Sequence, residues 1–264
     1  MKFDYNETYY KVTNKEECHN GLRYQDGLNI DPLPFNDNPE ASSIPGGIYF
    51  TDAEHIFMFL HFGCFIREVN IPNDAKVIKD PDNDKWRADR VIFGRRYDFN
   101  WYFDNVFDKG KFDWVYSGYL ARYCSKYFDK WFDPYIFDWD YSDSLAIYCS
   151  EYFNKWFDPD RFGWAYSGYL ATYCSAHFDK WWDADKFGWN YSAYLAKYCS
   201  KYFDKWWDAE EFDWNYSDSL AKYCSKYFDK WFDPEKFDWD YSDCLAEYCS
   251  DKKNIWEKYI NEEK

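Results

Sequence analysis

Basic charge is scarce in this 264-residue chain: 32 Lys and Arg stand against 48 Asp and Glu, a net charge of −16. Phosphate backbones are bound through basic footprints, so a nucleic-acid surface is not expected, nor is docking on anionic lipid. The acidic excess runs through both halves of the chain, so no acidic tail is set apart. Long apolar runs are missing too. Ile56–Leu60 is among the longest, whereas a membrane-spanning helix needs about 20 apolar residues. The opening MKFDYNETYY lacks a basic segment followed by an apolar core, so no secretory leader is expected.

Catalytic and metal-binding signatures are equally sparse. Only four His occur, and His55 and His61 lie six apart rather than at the i, i+4 spacing of a metal pair. There is no H-E-x-x-H, no Gly-rich phosphate loop, no nucleophile elbow and no C-x-x-C pair. No catalytic residue, metal site or cofactor is therefore expected.

What the chain has in abundance is aromatic side chains, 26% of all residues, with 16 Trp and 28 Tyr. That content rules out a disordered chain despite the charge. Most of it sits in a 25-residue repeat spoken six times, opening at Phe112, Phe137, Phe162, Phe187, Phe212 and Phe237. A fixed period of this length marks a stacked repeat architecture. Cys124, Cys149, Cys174, Cys199, Cys224 and Cys249 occupy one repeat position. They read as small buried core residues in a reducing compartment, because helices stack farther apart than a disulfide spans.

Within a copy, Leu220, Tyr223/Cys224, Tyr227/Phe228 and Trp231 recur every three or four residues, predicting a long helix from Ser217 to about Phe232. Asp233-Pro234 predicts a short helix or 3₁₀ turn over 234–239, and Ser242 is placed to cap the next long helix. One copy cannot bury its aromatic face alone, so stability is expected in the interfaces between copies. Tyr102-Phe-Asp104 and Phe107-Asp108 repeat 25 residues on, so 98–111 reads as a half-repeat that closes the array with Tyr102, Phe103, Val106 and Phe107. Lys252, Lys253 and Asn261–Lys264 read as a polar C-terminal cap.

Residues 1–97 lack the repeat. Tyr9–Val12, Gly47–Phe50, Phe65–Ile71, Ala75–Ile78 and Ala88–Phe93 have strand composition, and Asp31–Gly47 reads as a long loop. Thr51 and Glu54 form a capping-box pattern before a short helix near Asp52–Phe62, with Gly63 as a left-handed stop. The expected fold is thus an α+β N-terminal domain (1–97), the half-repeat cap (98–111), and an all-α solenoid of six 25-residue repeats (112–264), each with one long and one short helix.

Gly46-Gly-Ile-Tyr-Phe-Thr51, Arg67-Glu-Val69 and Lys85-Trp-Arg-Ala88, with Gly27-Leu-Asn-Ile30 before them, resemble an N-terminal module of mimivirus-type giant-virus proteins, where it precedes repeats that are often ankyrin. The resemblance covers about the first 97 residues. It implies a viral protein made in infected cytoplasm, or carried in the virion, and assigns no chemistry. Gly47-Ile-Tyr-Phe-Thr-Asp52 is also similar to a segment of poly-ADP-ribose polymerases, which implies an NAD-using relative with Tyr49, His19 and His61 near its site. The chain departs from that pattern: Asn20 follows His19 where a Gly is expected, His61 stands where a Tyr would fall, and no late strand offers a Glu, which implies an inert site.

Variation between copies picks out a rim on the solenoid: Tyr119, Asp140, Ser144, Tyr169, Asn190, Tyr194, Asn215 and Ser219. Tyr beside carboxylates suits a protein interface. Six invariant Trp, from Trp114 to Trp239, read as packing. The leading expectation is a non-enzymatic scaffold for a protein partner, viral or host. An ADP-ribosyltransferase-like module and a self-assembling structural protein are the alternatives, and the oligomeric state stays open.

Overall fold

The computed structural model describes residues 3–82 and 84–260. A strand-rich N-terminal region is followed by short helices in a repeated pattern, an all-α solenoid. Two compact units result, Met1–Asp138 and Trp139–Lys264. The first holds the strands, the first repeat copy and the opening Phe137-Asp138 of the second; the second holds the rest of the repeats. No helix among the described residues is long and apolar enough to cross a membrane.

In the first unit, strands β1 (Tyr9–Thr13), β2 (Cys18–His19), β3 (Leu22–Arg23), β4 (Gly27–Ile30), β5 (Ile48–Phe50), β6 (Phe65–Asn70), β7 (Val77–Lys79), β8 (Trp86–Ala88) and β9 (Arg90–Asp98) pair antiparallel. One sheet runs β1-β6-β9-β4 and another β5-β8-β7, while β2 and β3 form a separate hairpin. Reciprocal backbone hydrogen bonds between Tyr10 and Thr51, at 2.7 and 2.9 Å, tie β1 to the end of β5. The core between them is aromatic, with Tyr9, Phe50, Trp86 and Phe93 buried among Ile48, Val69 and Val91. The run expected as one strand over 88–93 changes sheets at Asp89. That residue's amide donates to Lys76, its carbonyl accepts from Asp31, and its carboxylate accepts the Lys76 amide at 2.9 Å.

Residues 52–62 depart from expectation in an instructive way. A 3₁₀ helix spans Ile56–Phe62, and the capping box does not form. The Thr51 hydroxyl is drawn off to the Asp84 carbonyl, and Asp52 takes over, accepting from the amides of Glu54 and His55 at 3.0 and 2.9 Å. Gly63 is extended (φ 169°) rather than left-handed. Its missing side chain serves close approach instead, since a Cβ there would strike the Thr13 carbonyl. Helix α1 (Phe99–Asn105) starts at Asp98, which accepts the Trp101 amide at 2.9 Å. Its Tyr102 and Phe103 are buried on Phe57 at ring distances of 5.3 and 5.5 Å.

In the second unit, the copy Trp189–Trp206 shows the pattern: 3₁₀ turn Trp189–Tyr191, helix Ser192–Tyr198, 3₁₀ turn Ser200–Tyr202, helix Phe203–Trp206. The expected apolar stripe holds, with Leu220, Cys224, Phe228 and Trp231 at most 1% exposed. The span is not one long helix, however. It breaks at the cysteine, where Cys199 has φ −116° and ψ 17°. The fully buried Trp206 donates its indole N–H to the Cys199 carbonyl at 2.9 Å, taking a partner that a continuing helix would use differently. Trp131, Trp156, Trp181, Trp231 and Trp256 do the same to the cysteine seven residues before them. The other turn lies at Trp239–Tyr241, not 234–239: Asp233 closes a turn on the Glu235 amide, and Asp238 caps the 3₁₀ turn.

Contacts between copies repeat as faithfully. The thiols of Cys199, Cys224 and Cys249 each donate at 3.7 Å to an Ala carbonyl of the preceding copy. The serine read as a helix cap is instead buried and reaches across: Ser167, Ser192 and Ser217 accept the amides of Gly188, Asp213 and Asp238 in the following copy. Phe178 stacks on Tyr202, and Phe203 on Tyr227, at 4.5 Å. At the C-terminal end Lys252 replaces that tyrosine and pairs with Asp229 at 2.6 Å; Asn261–Lys264 lie outside the described residues. Trp206→Phe removes one of two hydrogen bonds to the Cys199 carbonyl, which keeps the Tyr202 amide at 2.9 Å, and is expected to cost about 1 kcal/mol. Trp189→Phe, at a half-buried indole bonded to the Ala184 carbonyl, costs less; urea unfolding of the two variants checks the order.

Candidate functional site

Helical geometry explains which rim positions come together. In helices Ser142–Tyr148, Ser167–Tyr173, Ser192–Tyr198 and Ser217–Tyr223 the first, fourth and fifth residues (Ser, Leu, Ala) are buried, which turns the third and seventh outward. Tyr169 and Tyr194 are therefore exposed and stack on Tyr173 and Tyr198 at 6.3 Å. Tyr191 joins the group 6.1 Å from Tyr194. Partial burial, then the charge of Asp143, raises the Tyr169 hydroxyl above its ordinary value. Asp140, Asn190 and Asn215 are exposed on the Trp-x-Tyr turns, with Asn215 donating to Asp213 at 2.8 Å. Ser144 and Ser219 are half-buried. Tyr119 lies in the first unit, where it stacks on Tyr123 at 6.2 Å.

The tyrosines that never vary between copies widen this face, including the one before each cysteine that spacing places in the apolar stripe with Tyr223/Cys224. Tyr141, Tyr148, Tyr166, Tyr173, Tyr216 and Tyr241 are all exposed. Their signal was legible: they sit three before and four after the variable position, on one helical face. The half-buried Trp164, Trp189, Trp214 and Trp239 each donate to a carbonyl five residues back, a packing role. The six repeat cysteines are fully buried. Burial pushes the thiols of Cys174, Cys199, Cys224 and Cys249 up to about 12, which leaves them poor nucleophiles.

A second site, which no motif announced, is a cavity of about 520 Å³ in the first unit. Residues of β1 form its floor, the 3₁₀ helix supplies Ile56, Phe59 and Phe62, and the loop after Asp31 supplies Leu33, Ile44 and Pro45. The loop is pinned by residues of the Gly46–Thr51 and Lys85–Ala88 motifs. Arg87, fully buried, donates to the carbonyls of Asn36, Asn38 and Ala41 at 2.7–3.0 Å. At Gly46 (φ +90°) a side chain would strike the Pro34 carbonyl. The Tyr49 hydroxyl donates to the Ile44 carbonyl and accepts the Ile44 amide, both at 2.9 Å.

Lys11 and Lys85 bring cations to this apolar wall. Lys11 Nζ donates to the Tyr49 carbonyl at 2.8 Å and lies 5.3 Å from the Tyr24 ring. Burial, with Lys85 adding a like charge, pulls its ammonium down to about 8. His19 lines the same cavity and is held below its ordinary value by burial and then by Lys11. Thus His19 and Tyr49 come together, whereas His61 is exposed, lies outside the cavity lining and packs on Phe62 at 4.0 Å.

Comparison with known proteins finds relatives of the N-terminal third among mimivirus proteins. No protein-family model matches the chain. Similar proteins, all from Acanthamoeba polyphaga mimivirus, include putative ankyrin repeat protein R868, 45% identical over 93 residues that make up 34% of this chain and 46% of the relative. Uncharacterized protein R869 is 41% identical over 34% of this chain and 66% of its own length. Putative ankyrin repeat protein R229 is 43% identical over 32% of this chain and 29% of its own. The matched region thus spans about half the length of the first of these relatives. No solved structure matches.

The Lys11 shift sets a stability test. Its folded-state value lies below the unfolded one of 10.5, so between about 8 and 10.5 the unfolded chain binds more protons and stability rises with pH. Below 8 the buried ammonium costs roughly 3 kcal/mol. Lys11→Met is therefore expected to stabilise the protein at pH 7, with the gain shrinking as pH climbs from 8 to 10.5, measured by urea unfolding across that range.

Proposed function

We propose that this chain is a non-enzymatic interaction scaffold whose helical repeats, residues 112–264, hold a tyrosine-lined face against a protein partner, viral or host. The observation that carries the reading is the run of exposed tyrosines, Tyr141, Tyr166, Tyr169, Tyr173 and Tyr194 among them, set on a core whose Leu, Cys and Trp are the same in every copy and whose Phe changes only at Lys253. Exposed Tyr offers large contact area with few torsions to freeze, and repeat arrays present such surfaces as extended faces. Asp140 and Asp143 beside it favour a partner with basic groups. The relatives' names support the reading from another side, since two of the three carry the module in proteins named for ankyrin repeats. In this account residues 1–97 form the module, 98–111 close the array, and the protein acts in infected cytoplasm or in the virion.

The test is capture of partners from giant-virus-infected cells by the full chain. Tyr169→Ala with Tyr194→Ala, both at exposed positions, should leave stability within about 0.5 kcal/mol and reduce capture at least tenfold. Capture that survives this double variant, or that is lost with Lys11→Met instead, overturns the proposal.

A further inference from the structure

The cavity in the first unit has features that a partner-binding repeat array does not require. Lys11 is only 7% exposed, and among the described residues no carboxylate lies within ion-pair distance of it. A buried ammonium without a counter-charge is costly, and a site that accepts an anion removes the cost. Lys85 flanks the same residue from another direction: Lys11 sits at the Tyr49 carbonyl, and Lys85 lies over the Tyr49 ring at 4.9 Å. Lys85 also donates to the Ser43 hydroxyl at 2.7 Å and stands 3.7 Å from Asp80, so it is partly neutralised where Lys11 is not.

The remainder of the wall sets the body of the ligand. Val12, Ile44, Pro45, Phe59 and Phe62 are apolar, and a volume of about 520 Å³ is in the range that holds a small molecule. We infer that this cavity binds a small amphiphilic anion: an apolar body lies along the 3₁₀ helix and the loop, and a carboxylate or phosphate head meets Lys11 and Lys85. The site is independent of the tyrosine face and needs no protein partner.

Isothermal titration of the full chain with decanoate, decyl phosphate and decanol, each below its micellar concentration, tests this. In the unmodified protein at pH 7 at least one of the two anions binds saturably and at least tenfold more tightly than decanol; the tighter anion identifies the head group. Lys11→Met removes that preference, so anion and alcohol bind alike, and Lys85→Met weakens it. A thermal melt confirms that each variant is folded, and Lys11→Met, which takes away a buried charge, is the more tolerant of the two. Decanol binding as tightly as the anions, anion preference surviving in Lys11→Met, or no saturable binding of any of the three probes overturns the inference.

Discussion

The hydrogen bond from a buried indole N–H to the carbonyl of the cysteine seven residues earlier is the constraint on which the repeats depend. It recurs from Trp131 to Trp256 at 2.9–3.0 Å. With the backbone amide three residues on, as Tyr202 to Cys199 at 2.9 Å, it holds that carbonyl where the backbone turns, so a short second helix swings away where a continuous one would run on. The thiol at the turn then faces the alanine carbonyl of the copy before, and the serine at the start of the first helix receives an amide from the copy after. One side-chain bond inside a copy thereby fixes how its neighbours attach. The carbonyl also accepts a backbone amide three residues on, as Cys199 does from Tyr202 at 2.9 Å, so the group that this bond satisfies is the buried indole N–H, at a cost if the bond is lost.

A core fixed this tightly frees the outer positions. Leu, Ala, Cys, Phe and Trp carry the packing, so the third and seventh residues of each first helix are set by what they meet outside. Pairs of lysine and acid link one copy to the next on the surface, as Lys205 to Asp179 and Lys230 to Asp204, but these are exposed and contribute little. In the first unit the same division holds. Arg87 and Gly46–Gly47 spend their chemistry on pinning a loop, and the apolar cavity beside that loop is where Lys11 is kept from water.

Much of the architecture was readable from residues alone. The period and the apolar stripe followed from spacing, and the strand-rich character of the first region followed from composition. What spacing could not show was the break at Cys224, because a stripe of Leu220, Cys224, Phe228 and Trp231 looks the same whether the helix continues or turns. The capping box at Thr51 failed for a related reason: a distant carbonyl, that of Asp84, competed for the hydroxyl. Lys11 was invisible because a lysine inside a strand reads as solvent-facing until every neighbour in β1 is found buried. The tyrosine before each cysteine reads by spacing as part of the stripe, as at Tyr223/Cys224, and only the fold shows Tyr148 and Tyr173 exposed.

Hydrogen exchange of the indole N–H groups tests the central claim most directly. Slow exchange is predicted for Trp131, Trp156, Trp181, Trp206, Trp231 and Trp256, with Trp164, Trp189, Trp214 and Trp239 exchanging much faster. Similar exchange rates for the two sets would contradict the account, because the buried indole could not then be the bond that holds each copy in place.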